Sequence, residues 1–243
     1  MLEIENLSVE VDGRQLLHHV NMTINSGETH VLFGPNGSGK TSLLMAIMGF
    51  ARYKVAQGHI AFKGQDITGL SLDERARLGI GISFQRPPVI RGVTMRQMVL
   101  SCLKGGGDKV QLEELAAKLN LGSLLDRDVN YGFSGGELKR SELLQLLVQS
   151  PELVLIDEPE SGVDLVSIPL IGKVINELLQ KDRVRTRVNA GLIITHTGHI
   201  LDYVHANKGY IMVDGTLICA GNPREILDEV RSNGYRGCIE CRK

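Results

Sequence analysis

The chain contains no Trp, and its five Phe and five Tyr are spread over 243 residues, with none of the three in residues 1–32. A protein this poor in aromatics has few flat surfaces on which to stack a base or a sugar, which argues against recognition of nucleic acid by stacking. Charge of one sign is lacking as well: 27 Lys and Arg face 28 Asp and Glu, a net charge of -1, so no overall basic field draws the protein to nucleic acid or to anionic lipid. No apolar run approaches the roughly 20 residues that span a bilayer, which excludes direct membrane insertion by a helix. Met1-Leu2-Glu3-Ile4-Glu5 lacks the basic and apolar regions of a signal peptide, so a cytoplasmic location is expected. Four cysteines are too few for a disulfide framework in a chain of this length, and Cys102 and Cys219, flanked by apolar residues, are expected to pack as small hydrophobes. Internal repeats and low-complexity tracts are missing too. What remains is an ordinary globular composition, 42% apolar and 23% charged, in a chain long enough to bury its own core.

Periodicity supplies the next layer. Leu2 to Val11 alternates as a strand, Asp12-Gly13 is a turn, and a second strand is expected from Gln15 to Ile24. Thr29 to Phe33 is a short apolar run followed by a glycine-rich loop and by Ser42 to Met48, apolar at helical spacing. Leu153 to Ile156 and Leu192 to Thr195 are fully apolar, as buried parallel strands are. Between these, the stretch from about Leu72 to Gln149 reads as mostly helical, with a helix at Glu113 to Leu119 and a loop at Gly105-Gly106-Gly107. The alternation predicts a doubly wound α/β core with an inserted helical subdomain.

The loop after Phe33, Gly34-Pro35-Asn36-Gly37-Ser38-Gly39-Lys40-Thr41, fulfils the pattern G-x-x-x-x-G-K-[ST] between a strand and a helix. Its glycines let successive backbone N–H groups curl around phosphates, the helix start at Thr41-Ser42 adds a positive dipole end, Lys40 reaches the terminal phosphates, and Thr41 can ligate Mg²⁺. Leu153-Val154-Leu155-Ile156-Asp157-Glu158 is an apolar strand that delivers two carboxylates, Asp157 for the magnesium ion and Glu158 to polarise an attacking water. Phe133-Ser134-Gly135-Gly136-Glu137 combines a capping box, Ser134 with Glu137, with two glycines, and a helix is expected from Glu137 to Gln149. Such a helix start is by itself an anion site.

These three segments in this order resemble the ATP-binding cassette ATPases over nearly the whole chain. The resemblance implies an ABC-type nucleotide-binding domain: a RecA-like parallel core sheet, an N-terminal antiparallel β subdomain and an inserted α-helical subdomain. Residues 1–84 and 150–243 would form the catalytic α/β core of this single domain, with the helical part at about 85–149. It further implies ATP and Mg²⁺ as cofactors and a second copy of the chain as partner, whose Ser134, Gly135, Gly136 and Glu137 would address the γ-phosphate held by the first. Gln85 is similar to the glutamine that senses the ion and the attacking water, Ser161-Gly162-Val163-Asp164 to the loop that crosses the dimer, and His196 to the histidine that contacts the γ-phosphate. A lone His at a strand end can equally be a bystander. Family members usually stack adenine on an aromatic side chain of the first hairpin; here Val11 is expected to supply an aliphatic contact, which loosens the preference for ATP over GTP.

Within the family, Glu137-Leu138-Lys139-Arg140-Ser141-Glu142 resembles the pattern of SufC, the soluble ATPase of iron–sulfur cluster assembly, and implies a SufB-like (SufB/SufD family) scaffold as partner. Thr197 after His196, Gly162 where Ala is commoner, Phe84-Gln85 with Pro87-Pro88, and Asn233-Gly234-Tyr235 agree with it, whereas Pro159-Glu160 is closer to the pattern of transporter subunits. Pro87 to Ile90 is the apolar stretch expected to meet the scaffold, or else local core. Cys238-Ile239-Glu240-Cys241 offers either half of a metal site or a plain C-terminal tail.

Overall fold

A computed structural model describes residues 1–102, 109–181 and 188–240. The chain begins with a hairpin of β1 (Leu2–Val11) and β2 (Arg14–Ile24), whose two-residue turn has both Asp12 and Gly13 at positive φ, +51° and +76°. That is the turn whose twist matches paired strands. β3 (Thr29–Phe33) leads into α1 (Lys40–Met48); β4 (Lys54–Phe62) and the short β5 (Gln65–Asp66) complete an antiparallel sheet of order β2-β1-β4-β5. α2 (Leu72–Leu78) starts on a capping box of Ser71 and Glu74 and is followed by β6 (Ile80–Ser83). β7 (Ile90–Thr94), α3 (Met95–Cys102), α4 (Lys109–Lys118), β8 (Asp128–Val129) and α5 (Gly135–Gln149) come next, then β9 (Leu153–Asp157), α6 (Ile168–Leu178), β10 (Ala190–Ile194), β11 (Lys208–Val213), β12 (Thr216–Gly221) and α7 (Pro223–Glu240).

The central sheet has the order β12-β11-β3-β10-β9-β6, all neighbours parallel except β12, which returns antiparallel on the edge. Its inner strands are buried on both faces, and their side chains alternate between two cores. Leu32, Leu153, Leu155, Leu192 and Ile194 join α1 and the antiparallel sheet on one side. Val31, Phe33, Val154, Ile156 and Ile193 join the helices on the other. The molecule is thus an α/β fold in layers, with the antiparallel sheet and α1 on one face of the parallel sheet and α3 to α7 on the other.

Two features depart from the sequence expectation. Ile80 to Ser83, read within a helical stretch, is a strand paired with β9 at the end of the central sheet. Four residues, three of them buried, carry no period by which a strand could be told from a helix. Ile90 and Thr94 pair with Val129 and Asp128, so a small ribbon stands in the region read as mostly helical. The helix ends shift by a few residues: α1 starts at Lys40, α4 spans Lys109–Lys118, α5 starts at Gly135, and Thr195 lies just past β10. Gly105 to Gly107 lie outside the described residues.

Arg75 of α2 is 2% exposed and reaches across to the end of α1. Its guanidinium donates to the carbonyls of Ala46 and Ile47 (2.8 and 2.9 Å) and to those of Leu70 and Thr68 (3.0 and 2.8 Å). Four of a guanidinium's donors thereby meet backbone oxygens, two of them in the last turn of α1, where Ala46 O also accepts from Gly49 N at 3.2 Å.

Candidate active site

Strand register assembles the site. Ile194 of β10 lies opposite Leu32 of β3 on one side and Asp157 of β9 on the other, so the three strands end at one level. The loop after Phe33, the carboxylates 157 and 158, and His196 therefore share the carboxyl edge of the sheet, where ligands of open α/β sheets bind. Leu16, Asn36, Gly37, Gly39, Lys40, Thr41, Ser42, Gln85, Glu158 and His196 line a cleft of about 490 Å³ there.

The loop's shape depends on its glycines. Gly34, Gly37 and Gly39 have φ of +155°, +78° and +102°. A Cβ at Gly34 would lie 2.2 Å from the Met212 carbonyl oxygen, so the first glycine is needed for close approach as well as for its dihedral. No side chain caps the start of α1, and no acidic residue stands in its first turn, so the first N–H groups of the helix are left to face the cleft. Lys40 is 5% exposed and bonds the carbonyls of Gly34 and Pro35 at 2.9 and 2.8 Å. Burial depresses its ammonium pKa, against the pull of Glu158 and Asp157.

Thr41 Oγ1 donates to Asp157 Oδ2 at 2.8 Å. Asp157 is fully buried, its other oxygen Oδ1 has no hydrogen-bond partner, and burial raises its pKa. A buried carboxylate with one orphaned oxygen beside a hydroxyl is a donor set suited to a hard divalent cation. Glu158 sits at φ +48°, a left-handed conformation that costs a non-glycine residue about 1–3 kcal/mol and is held only where its surroundings fix it. Here its N–H donates to Ile194 O at 3.1 Å, and its carboxylate lies between Gln85 Nε2 (2.5 Å) and His196 Nε2. The residues predicted from separate segments thus meet on one carboxylate.

Other predicted residues stand elsewhere. Ser134 and Glu137 form the capping box of α5: Ser134 N donates to Glu137 Oε2 at 2.7 Å, and Glu137 N to Ser134 Oγ at 3.4 Å. Gly135 and Gly136 pack against Gly162, Asp164 and Ser167. Asp164 accepts from Ser167 N and Oγ, both at 2.9 Å, which holds its carboxyl below the usual range. None of these residues lines the cleft. Val11 is not there either. It ends β1 opposite Arg14, and Leu16, 38% exposed on the facing strand, takes the place at the cleft.

Sequence reasoning missed Glu160 as part of the site. It accepts from the hydroxyls of Thr195 and, at 3.1 Å, Thr197, while Thr195 Oγ1 accepts from Gly198 N at 2.9 Å. Glu160 thereby fixes the turn that carries His196. Two Thr flanking a His, facing a carboxylate two residues past Glu158, was the available signal. Pro87, Pro88 and Ile90 line a second, largely apolar cleft of about 360 Å³ with Phe84, Ile82, Cys102 and Glu142, and Val89 is 51% exposed beside it. Cys102 is half-buried, with its thiol pushed up by burial, and Cys219 is half-buried against the helical-face core. Cys241 and the side chain of Cys238 lie outside the described residues. No helix among the described residues is long and apolar enough to cross a membrane.

Comparison with known proteins agrees with this geometry. Residues 17–161 match the family described as ABC transporter. A probable ABC transporter ATP-binding protein of Streptococcus pyogenes is 37% identical over 99% of this chain and 95% of its own length. A probable ATP-dependent transporter, ycf16, of Cyanidium caldarium is 39% identical over 97% and 95%. The crystal structure of a nucleotide-free ATP-binding cassette from an ABC transporter superposes with a TM-score of 0.77 at 26% identity, covering 96% of this chain and 95% of that one.

Proposed function

The chain belongs to the ABC transporter family and is an ATP-binding, ATP-hydrolysing cassette, and from that premise we propose that it acts as a SufC-type ATPase, two copies closing head to tail on MgATP to drive a SufB-like scaffold in iron–sulfur cluster assembly. The observation that carries the paired reading is the division of anion-binding groups within one chain. The phosphate loop, Gln85, Glu158 and His196 share a cleft, while Ser134 to Glu137 at the start of α5, which the family resemblance directs to a γ-phosphate, do not line it. A second copy turned head to tail supplies its Ser134 to Glu137 to the first copy's nucleotide. ATP then favours the closed pair because its best ligands lie on two chains, and loss of the γ-phosphate releases it.

In this reading the N–H groups of the loop and of the first turn of α1 bind the phosphates, and Lys40 moves from the Gly34 and Pro35 carbonyls to the terminal phosphate oxygens. Thr41 and Asp157 would hold Mg²⁺, whose chemistry there would be to neutralise charge on the phosphates. Glu158 accepts a hydrogen bond from the attacking water and takes its proton as the water oxygen bonds to the γ-phosphorus and the bond to the bridging oxygen of ADP breaks, giving ADP and phosphate. Gln85 and His196, both on the Glu158 carboxylate, orient it, and His196 can also meet the γ-phosphate. Leu16 is placed to touch the base.

The scaffold reading rests on the run Glu137 to Glu142 and on Thr197, with the exposed Pro87 to Ile90 cleft as the docking surface. The names of the relatives favour a second reading, a nucleotide-binding subunit of a membrane transporter, in which the same cleft receives a membrane protein. A pull-down from native cells with Glu158→Gln and MgATP, which should hold the pair closed, separates the two. A soluble partner carrying iron and sulfide is expected; a polytopic membrane partner without iron would overturn the scaffold reading and leave the ATPase.

A further inference from the structure

Lys139 and Glu142 stand one turn apart on α5, 2% and 6% exposed, with Lys139 Nζ 3.9 Å from Glu142 Oε2. A single long ion pair does not repay the desolvation of two ions, and apolar side chains of like volume would fill the space at lower cost. Their remaining bonds show what the pair holds. The ammonium has three N–H donors and three carbonyl oxygens in reach: Phe84 at 2.5 Å, Gln85 at 3.1 Å and Asp157 at 3.4 Å. Glu142 accepts from Ser83 Oγ at 2.9 Å and Phe84 N at 2.8 Å. One turn of helix thus grips the Ser83 hydroxyl, the backbone of residues 84 and 85 and the end of β9.

The grip on Asp157 O has a specific consequence. That oxygen belongs to the peptide joining Asp157 to Glu158, whose N–H is bonded to Ile194 O. The peptide plane is therefore held on both edges, and its orientation sets the φ of Glu158, the residue in the strained left-handed conformation.

We propose that Lys139 and Glu142 are positioning residues for hydrolysis: a brace on α5 that holds the Glu158 peptide and the Gln85 backbone in one arrangement and passes any displacement of α5 to both. The proposal rests on the roles given above to Glu158 and Gln85. Because Ser134 starts the same helix and Glu142 lines the Pro87–Pro88 cleft, the brace lies between the partner copy's nucleotide and the docking surface.

The test uses Lys139→Met/Glu142→Leu, which keeps the volume and removes the hydrogen bonds. It is expected to melt below the parent, because Phe84 N and the carbonyls of Phe84, Gln85 and Asp157 lose these partners, but to stay folded, to keep the ATP dissociation constant within about twofold, and to lose about 10- to 100-fold in kcat, the size of loss that small misplacement of a reacting group brings. The absence of Trp adds a spectroscopic readout: Phe84→Trp places a single fluorophore on the braced segment, and its emission change on adding MgATP should vanish when the double substitution is combined with it. If circular dichroism shows the double variant poorly folded, Glu142→Gln, nearly isosteric, is read by the same measurements. Turnover within twofold of the parent, or an indole emission change that survives the double substitution, overturns the brace. Failure of the site assignment reads differently, because Glu158→Gln in the parent background would then retain turnover.

Discussion

Gly135 offers a test in which steric clash and backbone strain can be separated across a single contact. A Cβ built on Gly135 lies 1.8 Å from the Gly162 carbonyl oxygen and 2.8 Å from its carbon. Non-bonded carbon and oxygen stay at least about 3 Å apart, so Gly135→Ala must part the start of α5 from the loop at Gly162 by about 1.2 Å, at an overpacking cost of about 1–3 kcal/mol. The reverse substitution is different. Gly162 has φ +71° and a Cβ there meets nothing within 4 Å, so Gly162→Ala carries only left-handed strain, about 1–2 kcal/mol. Both variants should lose a similar amount in guanidinium titrations. Only Gly135→Ala moves the start of α5 away from the loop that carries Asp164, and its ATPase rate should fall by about 100-fold, as an ångström of misplacement can; Gly162→Ala should stay within a few-fold. Equal rates for the two variants, or a Gly135→Ala midpoint equal to the parent's, would refute the packing argument.

Three further outcomes follow from the same coordinates. Arg75→Met removes four hydrogen bonds and strands the carbonyls of Ile47, Thr68 and Leu70, Ala46 O keeping Gly49 N, and should lower unfolding free energy by about 3 kcal/mol, measured by denaturant titration. Burial pushes the Glu142 carboxyl from an ordinary value of 4.5 up to about 7. Between those values the folded state holds the extra proton, so stability falls as pH rises through that window and levels off above it, by at most roughly 3 kcal/mol. Glu142→Gln should flatten the curve from pH 4.5 to 7, and parallel curves for parent and variant would contradict this. Finally, Leu16 in place of an aromatic ring forgoes about 1 kcal/mol of stacking, so titration should give GTP and ATP dissociation constants within about tenfold, whereas a large preference for ATP would remove Leu16 from the base site.

The parts of the site visible in the sequence are those in which chemistry dictates a local pattern. Gly34 to Thr41 had to contain glycines because a backbone wrapped on phosphate admits little else, and Ser134 with Glu137 announced a helix start that carries both expected bonds. The buried strands showed as apolar runs. Contacts between distant segments left no such mark. That Gln85 and His196 belong to the site came only through a family resemblance, their meeting on Glu158 came from the structure alone, and the grip of Lys139 on residues 84, 85 and 157 depends on packing across 18 to 55 positions. Arg75 looked like any surface residue of an amphipathic helix, because Arg is seldom buried and nothing local announces that it will be. Leu16 rather than Val11 lines the cleft for a reason of pleat: Leu17 turns into the core, so Leu16 turns out toward the loop.

The two ends of α1 are treated unequally. Arg75, locked inside the fold, permanently discharges the carbonyl end, while the amide end opens on the cleft with neither a side-chain cap nor an acidic residue in its own first turn. About half a unit of positive charge thus waits at the loop for whatever anion arrives. That attraction is indifferent to chain length: a diphosphate satisfies it as a triphosphate does. The loop alone therefore cannot tell spent fuel from fresh. Discrimination falls to groups that touch only the third phosphate, and ADP should compete with ATP far better for a lone copy than for a closed pair.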